Sequence, residues 1–453
     1  MSLSRIFDIS SRSLSTYQNA LDVTAHNVAN SGNPDYSRQQ VVLSTTTPQQ
    51  QAGLIWGTGV KLDQIQRVQD VLIKQQLISY NSKSSDSSQR GSLLEQVQGL
   101  LSEPSDSGLS SLTTNFFNAW QQLSVTPNST PLRYSVIQAA QRLSTKVQSI
   151  HDGLDTIKTD IINQVNDQVS SVNTLLKQIQ SLNAQIYSSQ SVGQNPNDLL
   201  DQRDKAISDL SNITNINVTY DKGGSAIISI GGTFAADRSD SVTFEAKTIN
   251  GKLTLASSGN NLNANLTGGS LYALTDMYST VIPGYQNTLD SFVNQLMTSV
   301  NTVHKQGYTL DNPPKTNVDF FSGYSNGILS INSDILADPQ KIAVSKDGTA
   351  GNGDLASTIS DLANQKVING TTLGDYYTSL VSKIGSDKNA SDQNTSSFQA
   401  IVQQLQQQKA SVSGVSVDEE MTNIIKYQRA YTASAKLIKA ADDMLQTLLN
   451  VVQ

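Results

Sequence analysis

Residues 14–39 read LSTYQNALDVTAHNVANSGNPDYSRQ, and two patterns meet inside them. Leu14, Tyr17, Leu21, Ala25 and Val28 recur three and four apart, the spacing that lines one face of a helix. At Asn30, Ser31 and Gly32 the repeat stops on residues suited to leaving a helix at its C-terminus. Asn33-Pro34-Asp35 then reads as a turn, because a residue before proline is driven out of the helical region. YSRQQVVL continues as extended chain. His26, Asn27, Asn30, Tyr36 and Arg38 crowd this boundary. His26 and Asn27 fall near the last helical turn, where an imidazole can cap free carbonyls. Tyr36 and Arg38 are candidates for polar contacts across an interface.

The far end of the chain carries the matching half of the pattern. Ser416 to Glu419, SVDE, has the form of a capping box, with Asp418 and Glu419 in a first turn where acids complement the helix dipole. Val417, Met421, Ile424, Tyr431, Ala435, Ile438, Ala441, Leu445 and Leu448 then keep a heptad repeat that only Gln428 interrupts. Neither narrow amphipathic helix is stable alone in water. The expectation is a pair of terminal helices, Leu14, Tyr17, Leu21 and Val28 facing Met421, Ile424, Tyr431, Ile438, Leu445 and Leu448. Such thin ends gain further partners only from neighbouring subunits, and in a monomer they are expected to be protease-sensitive.

Between the ends, Leu154, Ile157, Ile161, Val165, Val172, Leu175, Ile179, Leu182 and Ile186 mark a long helix. Asn195 and Pro196 give a fresh helix start before Asn197, Asp198, Asp201, Arg203 and Asp204. NFFNAWQQLSVTPNSTPLRYSVIQAAQRL reads as two helices around a proline-bounded loop, with Trp120 a core anchor. From about 216 the period changes to two, in Ala226, Ile228 and Ile230 and again in Val242, Phe244 and Ala246. Asn250-Gly251 is a strong hairpin signal ahead of Leu253 and Leu255.

The fold expected is mainly α with an inserted small β domain, an elongated antiparallel helical bundle closed by its paired termini. Its parts are an axial helix and extended segment over 1–65, bundle helices over 66–215, and a small outer β domain over 216–268. Helices resume over 269–410, with a mixed stretch at 310–350, and the C-terminal axial helix occupies 411–453. Composition agrees: 37% of the 453 residues are hydrophobic and 15% charged, against roughly 45–50% apolar for a typical globule counted with glycine. Thin packing between long helices follows, and ten prolines leave those helices uninterrupted.

A net charge of −7 provides no basic stripe for nucleic acid, and no apolar run approaches a membrane span. The N-terminus lacks the apolar stretch of a signal peptide. The absence of cysteine excludes disulfides and thiolate metal sites; it fits cytosolic residence, and equally export by a route that threads unfolded chain. His26, His151 and His304 are far apart, without metal-ligand spacing. GTGVKLDQI lacks the third glycine of a dinucleotide fingerprint and reads as a turn before a strand. In 216–268, Asp221, Asp237, Asp240 and Glu245 have no motif spacing. No catalytic residue, cofactor or metal site is expected.

ALDVTAHNVANSGNPDYSRQ, FFNAW, PNDLLDQRD, the block from GGSLYALTD to VNTVHKQGY, and SGVSVDEEMTNIIKYQRAYTASAKLI resemble, in order, blocks of the flagellar axial proteins. The internal blocks, above all Asn197 to Asp204, resemble the hook-associated members at the hook–filament junction. The short 216–268 region departs from longer members that carry further outer domains. The resemblance implies a non-enzymatic, extracellular part of the bacterial flagellum with a flagellin-like architecture. It implies export through the flagellar type III apparatus with a chaperone, and a homo-oligomeric ring between hook protein and a neighbouring junction protein. Another axial protein, such as a flagellin or the neighbouring junction protein, is the nearest alternative. A flagellum-displayed binding or enzymatic insert is the remote one.

Overall fold

The computed structural model describes residues 3–51, 53–257, 260–261 and 265–452. The chain divides into two compact units, one built from Met1–Lys83, Ser171–Phe244 and Ser397–Gln453, the other from Ser84–Ser170 and Glu245–Ser396. The fold is mainly α.

Helix α1 (Leu3–Ala29) leads into β1 (Gln39–Thr45), a small hairpin of β2 (Gln49–Gln51) and β3 (Leu54–Trp56), and β4 (Val60–Arg67). Strands β1 and β4 pair antiparallel, Gln39 opposite Arg67 and Thr45 opposite Val60, with a bulge between Val42 and Leu43. Gly59 makes the entry to β4 possible at φ 106°, a conformation only glycine adopts readily. Helices α2 (Val71–Leu101), α3 (Leu109–Val125), α4 (Thr130–Ser191) and α5 (Asn197–Ile213) follow. The long stripe expected on α4 is present, but it passes through Leu176 rather than Leu175. Val172 and Ile179 are seven apart, and a helical face needs the intermediate contact at position four.

Sheet β5 (Ile216–Tyr220), β6 (Ala226–Ile230), β7 (Thr233–Ala236) is antiparallel in that order, with Ala226, Ile228 and Ile230 all buried. Strands β8 (Glu245–Ile249), β9 (Lys252–Ser257) and β10 (Asn260–Asn261) form a second sheet. Asn250 and Gly251 turn the β8–β9 hairpin with φ of 51° and 75°, both positive as a type I′ turn requires. In place of the single β domain read over 216–268 there are therefore two sheets, the first in one unit and the second in the other. Residues 258–259 and 262–264 of that span lie outside the described residues. The break between the sheets is held by a side chain: Asn173 on α4 accepts from Phe244 N at 2.8 Å and donates to Phe244 O at 2.9 Å. The amide satisfies the Phe244 backbone groups that a neighbouring strand would otherwise take, while Val242 N still donates to Ala235 O of β7 at 2.8 Å.

Helix α6 (Ser270–Asp276) runs through a π turn, Met277–Val281, into α7 (Ile282–His304). Pro283 has no N–H to give the turn before it, which accounts for the widened coil. A hairpin of β11 (Phe321–Ser325) and β12 (Ile328–Ile331), short α8 (Ser333–Ala337) and α9 (Asp354–Asp361) precede α10 (Leu373–Ser413) and α11 (Val417–Val452). The second unit has an aromatic centre. Trp120 is fully buried, its ring 5.3 Å from Phe320 and 6.3 Å from Phe116 in edge-on contacts. Buried Arg133 donates to the carbonyls of Pro127, Pro339 and Ile342; burial, against the opposing charge of Asp338, lowers its guanidinium pKa to about 10.

Candidate functional site

The boundary after α1 is where distant parts of the sequence meet. Asn30 donates from its amide to His26 O at 3.0 Å and so caps the helix end. The capping role expected for the His26 ring is taken by its neighbour. The imidazole instead reaches Tyr36, Nδ1 lying 3.1 Å from the hydroxyl. Asn33 Oδ1 accepts from Asp35 N, which closes the proline turn.

Asn27 stands at the centre of a buried network. Its Oδ1 accepts from the Tyr36 hydroxyl at 2.7 Å and from Gln39 N at 2.9 Å. Its amide donates to Gln39 O at 2.8 Å and to Glu420 Oε2 at 3.2 Å. All four of its hydrogen-bonding positions are used. Arg38 lies beside it, Nε 2.8 Å from Glu420 Oε1 and Nη1 2.7 Å from Glu419 Oε2. One buried carboxylate, Glu420, thus joins the end of α1, the start of β1 and the first turn of α11. The arrangement runs α1 and α11 antiparallel, with Tyr17 stacked on Tyr427 at 6.4 Å further along the pair.

The capping box read at Ser416–Glu419 is half formed. Ser416 Oγ accepts from Glu419 N at 3.4 Å, but the Glu419 carboxylate turns to Arg38 rather than back to the helix. Asp418 stays exposed in the first turn.

The PNDLLDQRD block joins the same region from α5. Asn197 donates to Gln39 Oε1 and Ile65 O, and Gln39 donates in turn to Asp198 Oδ1. Asp201 accepts from Ser37 N at 3.0 Å and Arg67 Nη1 at 2.7 Å; Asp204 accepts from Arg67 at 2.8 Å and Lys74 at 2.5 Å. Arg203 faces the other way, donating to Asn183 Oδ1 and Gly224 O beside β5 and β6. Asn195 does not cap α5; its amide donates to Ile65 O and holds β4.

Burial and the carboxylates of Asp198, Asp201 and Glu420 push the Tyr36 hydroxyl far above its usual range, so it stays a proton donor. Burial works against an ionised Asp204, yet Lys74 and Arg67 outweigh it and hold the carboxyl below its usual range. Lys74 is lowered by the same burial. A 310 Å³ cleft beside His26, Tyr36, Asp198, Asp201 and Lys205 is lined by no Ser, Thr or Cys. His26 Nε2 is 3.9 Å from Asp198, too far for a hydrogen bond. Among the described residues no group of three or more His, Asp or Glu is placed to hold a metal, and no helix is long and apolar enough to cross a membrane. The site is a clasp of paired charges.

A family model described as the flagellar hook-associated protein FlgK helical domain matches residues 94–321, just over half of the chain. The chain belongs to the FlgK family of flagellar hook-associated proteins. A second model, the C-terminal region of flagellar basal body rod FlgEFG proteins, matches residues 406–451. Flagellar hook-associated protein 1 of Bacillus subtilis is 29% identical over 97% of this chain and 96% of its own length. The protein of that name from Salmonella typhimurium is 24% identical over 97% and 98%. In fold, the chain is similar to the flagellar hook junction protein FlgK from Burkholderia pseudomallei, with a TM-score of 0.66 and 16% identity over 75% of this chain and all of that one.

Of the apolar positions read as axial packing, Leu14, Tyr17, Leu21, Val28, Ile424 and Ile438 are half-buried. Met421, Tyr431, Leu445 and Leu448 are 38–54% exposed. The buried line of α1 is instead Ser10, Thr16, Ala20, Val23, Thr24 and Asn27, and that of α11 is Glu420, Ser434 and Ala441. Residue patterns missed Glu420, Gln39, Arg67 and Lys74. A third carboxylate directly after Asp418 and Glu419 exceeds what one helix dipole calls for, and it was the available signal for Glu420.

Proposed function

We propose that this chain is a structural component of the bacterial flagellum that forms the ring between hook and filament. It is exported by the flagellar type III apparatus and assembles through α1 and α11. Its partners are further copies of itself, the hook protein, the neighbouring junction protein and an export chaperone, and it works outside the cell without catalysis. The observation that carries the reading is the surface of α11. Val417, Met421, Ile425 and Leu449 on one flank of the α1 seam, and Leu437, Met444 and Leu448 on the other, are each 45–61% exposed. Apolar flanks on both sides of a paired helix fit a tube wall, where each pair has neighbours left and right. The names of the relatives support the junction position.

Deleting the gene and imaging the cells tests this. Hooks without filaments, with flagellin shed into the medium, are the expected result. Normal filaments in the deletion strain would sink the junction assignment.

A further inference from the structure

The segment from Gln39 to Val60 contains no charged residue. Within it the β2–β3 hairpin presents Leu54 and Ile55, 58% and 75% exposed, at its tip. Isolated two-stranded ribbons that face water normally carry charge to prevent pairing, and this one carries none. The tip is also fixed: the Arg5 guanidinium lies 5.0 Å over the Trp56 ring, which ties β3 to the first turn of α1.

Beyond the other end of α1 a groove of about 360 Å³ opens between α2, α5 and β5, walled by Val71, Leu77, Ile78, Leu200, Ile207 and Val218. Nine charged residues among those described line it, each engaged within the chain: Arg67 and Lys74 pair with Asp201 and Asp204, Lys205 pairs with Asp35, and Asp70, Arg203 and Lys409 bond to backbone groups. The groove therefore favours a neutral occupant. A cavity of ~150 Å³ accepts a benzene-sized group, so this one has room for two branched four-carbon side chains. The chain's own tip cannot supply them. From Arg5 to the end of α1 is about 36 Å at 1.5 Å per residue, and β4 holds the tip at the far end.

We propose that the Leu54–Ile55 tip of one copy docks into the Val71–Val218 groove of a second copy of this chain. Knob and hole lie on different faces of one molecule, so the contact is heterologous and repeats from copy to copy. The docking deepens the ring assembly proposed above and rests on it.

The absence of native cysteine makes disulfide trapping clean. Purified Ile55→Cys chains are mixed with Val71→Cys chains and mildly oxidised, beside a mixture of Ile55→Cys with Thr248→Cys. The expected result is a mixed dimer at least about tenfold more abundant in the first mixture, as a raised local concentration of the two thiols requires. A yield equal to the control, or tip-to-tip dimers alone, overturns the docking. As a second measurement, hydrogen exchange over residues 71–78 in concentrated protein should speed up in Leu54→Ser/Ile55→Ser, whose replaced side chains are already exposed; unchanged exchange counts against the contact. Complementation separates the two claims. A chain that restores filaments to a deletion strain without cross-linking overturns the docking alone, and normal filaments in that strain without any chain overturn the junction role alone.

Discussion

The seam between α1 and α11 and the aromatic centre around Trp120 use burial in opposite ways. Around Trp120 the buried side chains are Phe116, Phe117, Phe320 and Phe321, with His304 bonded to backbone groups at both ring nitrogens. Along the seam the buried side chains are small or polar, Thr16, Ala20, Val23, Thr24, Asn27, Glu420, Ser434 and Ala441, while Met421, Leu437, Met444, Leu448 and Leu449 of α11 are exposed. The first arrangement is complete in one chain. The second leaves apolar surface of α11 exposed, and its hydrogen-bonded seam sets which residues meet rather than how tightly they hold.

The largest effect expected is on the complete region. Trp120→Ala should lower stability by about 3–5 kcal/mol, the range for removing a buried aromatic side chain. Calorimetry should show the transition of the second unit falling while circular dichroism of the terminal pair changes little. A loss below about 1 kcal/mol would mean that the centre collapses around the gap.

Acid should act on the same region through His304. Its Nδ1 lies 2.7 Å from Val318 O and its Nε2 accepts from Ala343 N at 2.9 Å, so the folded imidazole is neutral with both nitrogens used. Burial lowers its pKa to about 4, with Arg133 adding to that effect while the Val318 carbonyl and Asp319 oppose it. The folded value is below the unfolded one, so the unfolded state binds the proton first. The stability that neutral His304 contributes is present above about pH 6.5 and is lost as pH falls toward about 4. The loss is on the order of 3 kcal/mol at most. Thermal melts of His304→Gln should show a flatter slope across that window; an unchanged slope would assign the acid sensitivity elsewhere.

Arg38→Ala should cost about 1.5–3 kcal/mol, the range for a hydrogen bond to a buried charge, because Glu420 loses its guanidinium partner and is left with the Asn27 amide among the described residues. Amides of residues 417–424 should exchange faster, and Glu420→Gln in the same background should recover part of the protection. No recovery would mean that Arg38 acts by packing alone.

What the residue pattern disclosed differs between the two regions for the same reason. Trp120 was legible because size and apolarity identify a core residue. The helices at both ends were legible from their three–four spacing, and so was the turn at Asn33-Pro34-Asp35. The facing surface was not. Thr16, Ala20, Val23 and Thr24 are too small or polar to compete with Leu14 and Leu21 in any hydrophobic count, and Leu14 and Leu21 remain half-buried. The clasp was half legible: His26, Asn27, Tyr36, Arg38, Asn197, Asp198, Asp201 and Asp204 all reach it. Their partners Arg67 and Lys74 sit in a strand and a helix start where a cation looks like ordinary surface charge.

The smallest effect on the isolated chain should come from the surface of α11 proposed for assembly. Leu448 is 54% exposed on α11, so Leu448→Ser removes little buried area, and the monomer should keep its stability within about 0.5 kcal/mol. In cells the same variant should fail to restore filaments to a deletion strain, since in the proposed ring each copy would lose a repeated apolar contact. A variant that melts like wild type yet does not assemble places Leu448 on an intersubunit contact. A variant that assembles normally would mean that this flank stays in solvent, and the inverted burial of α1 and α11 would then reflect helix registration alone.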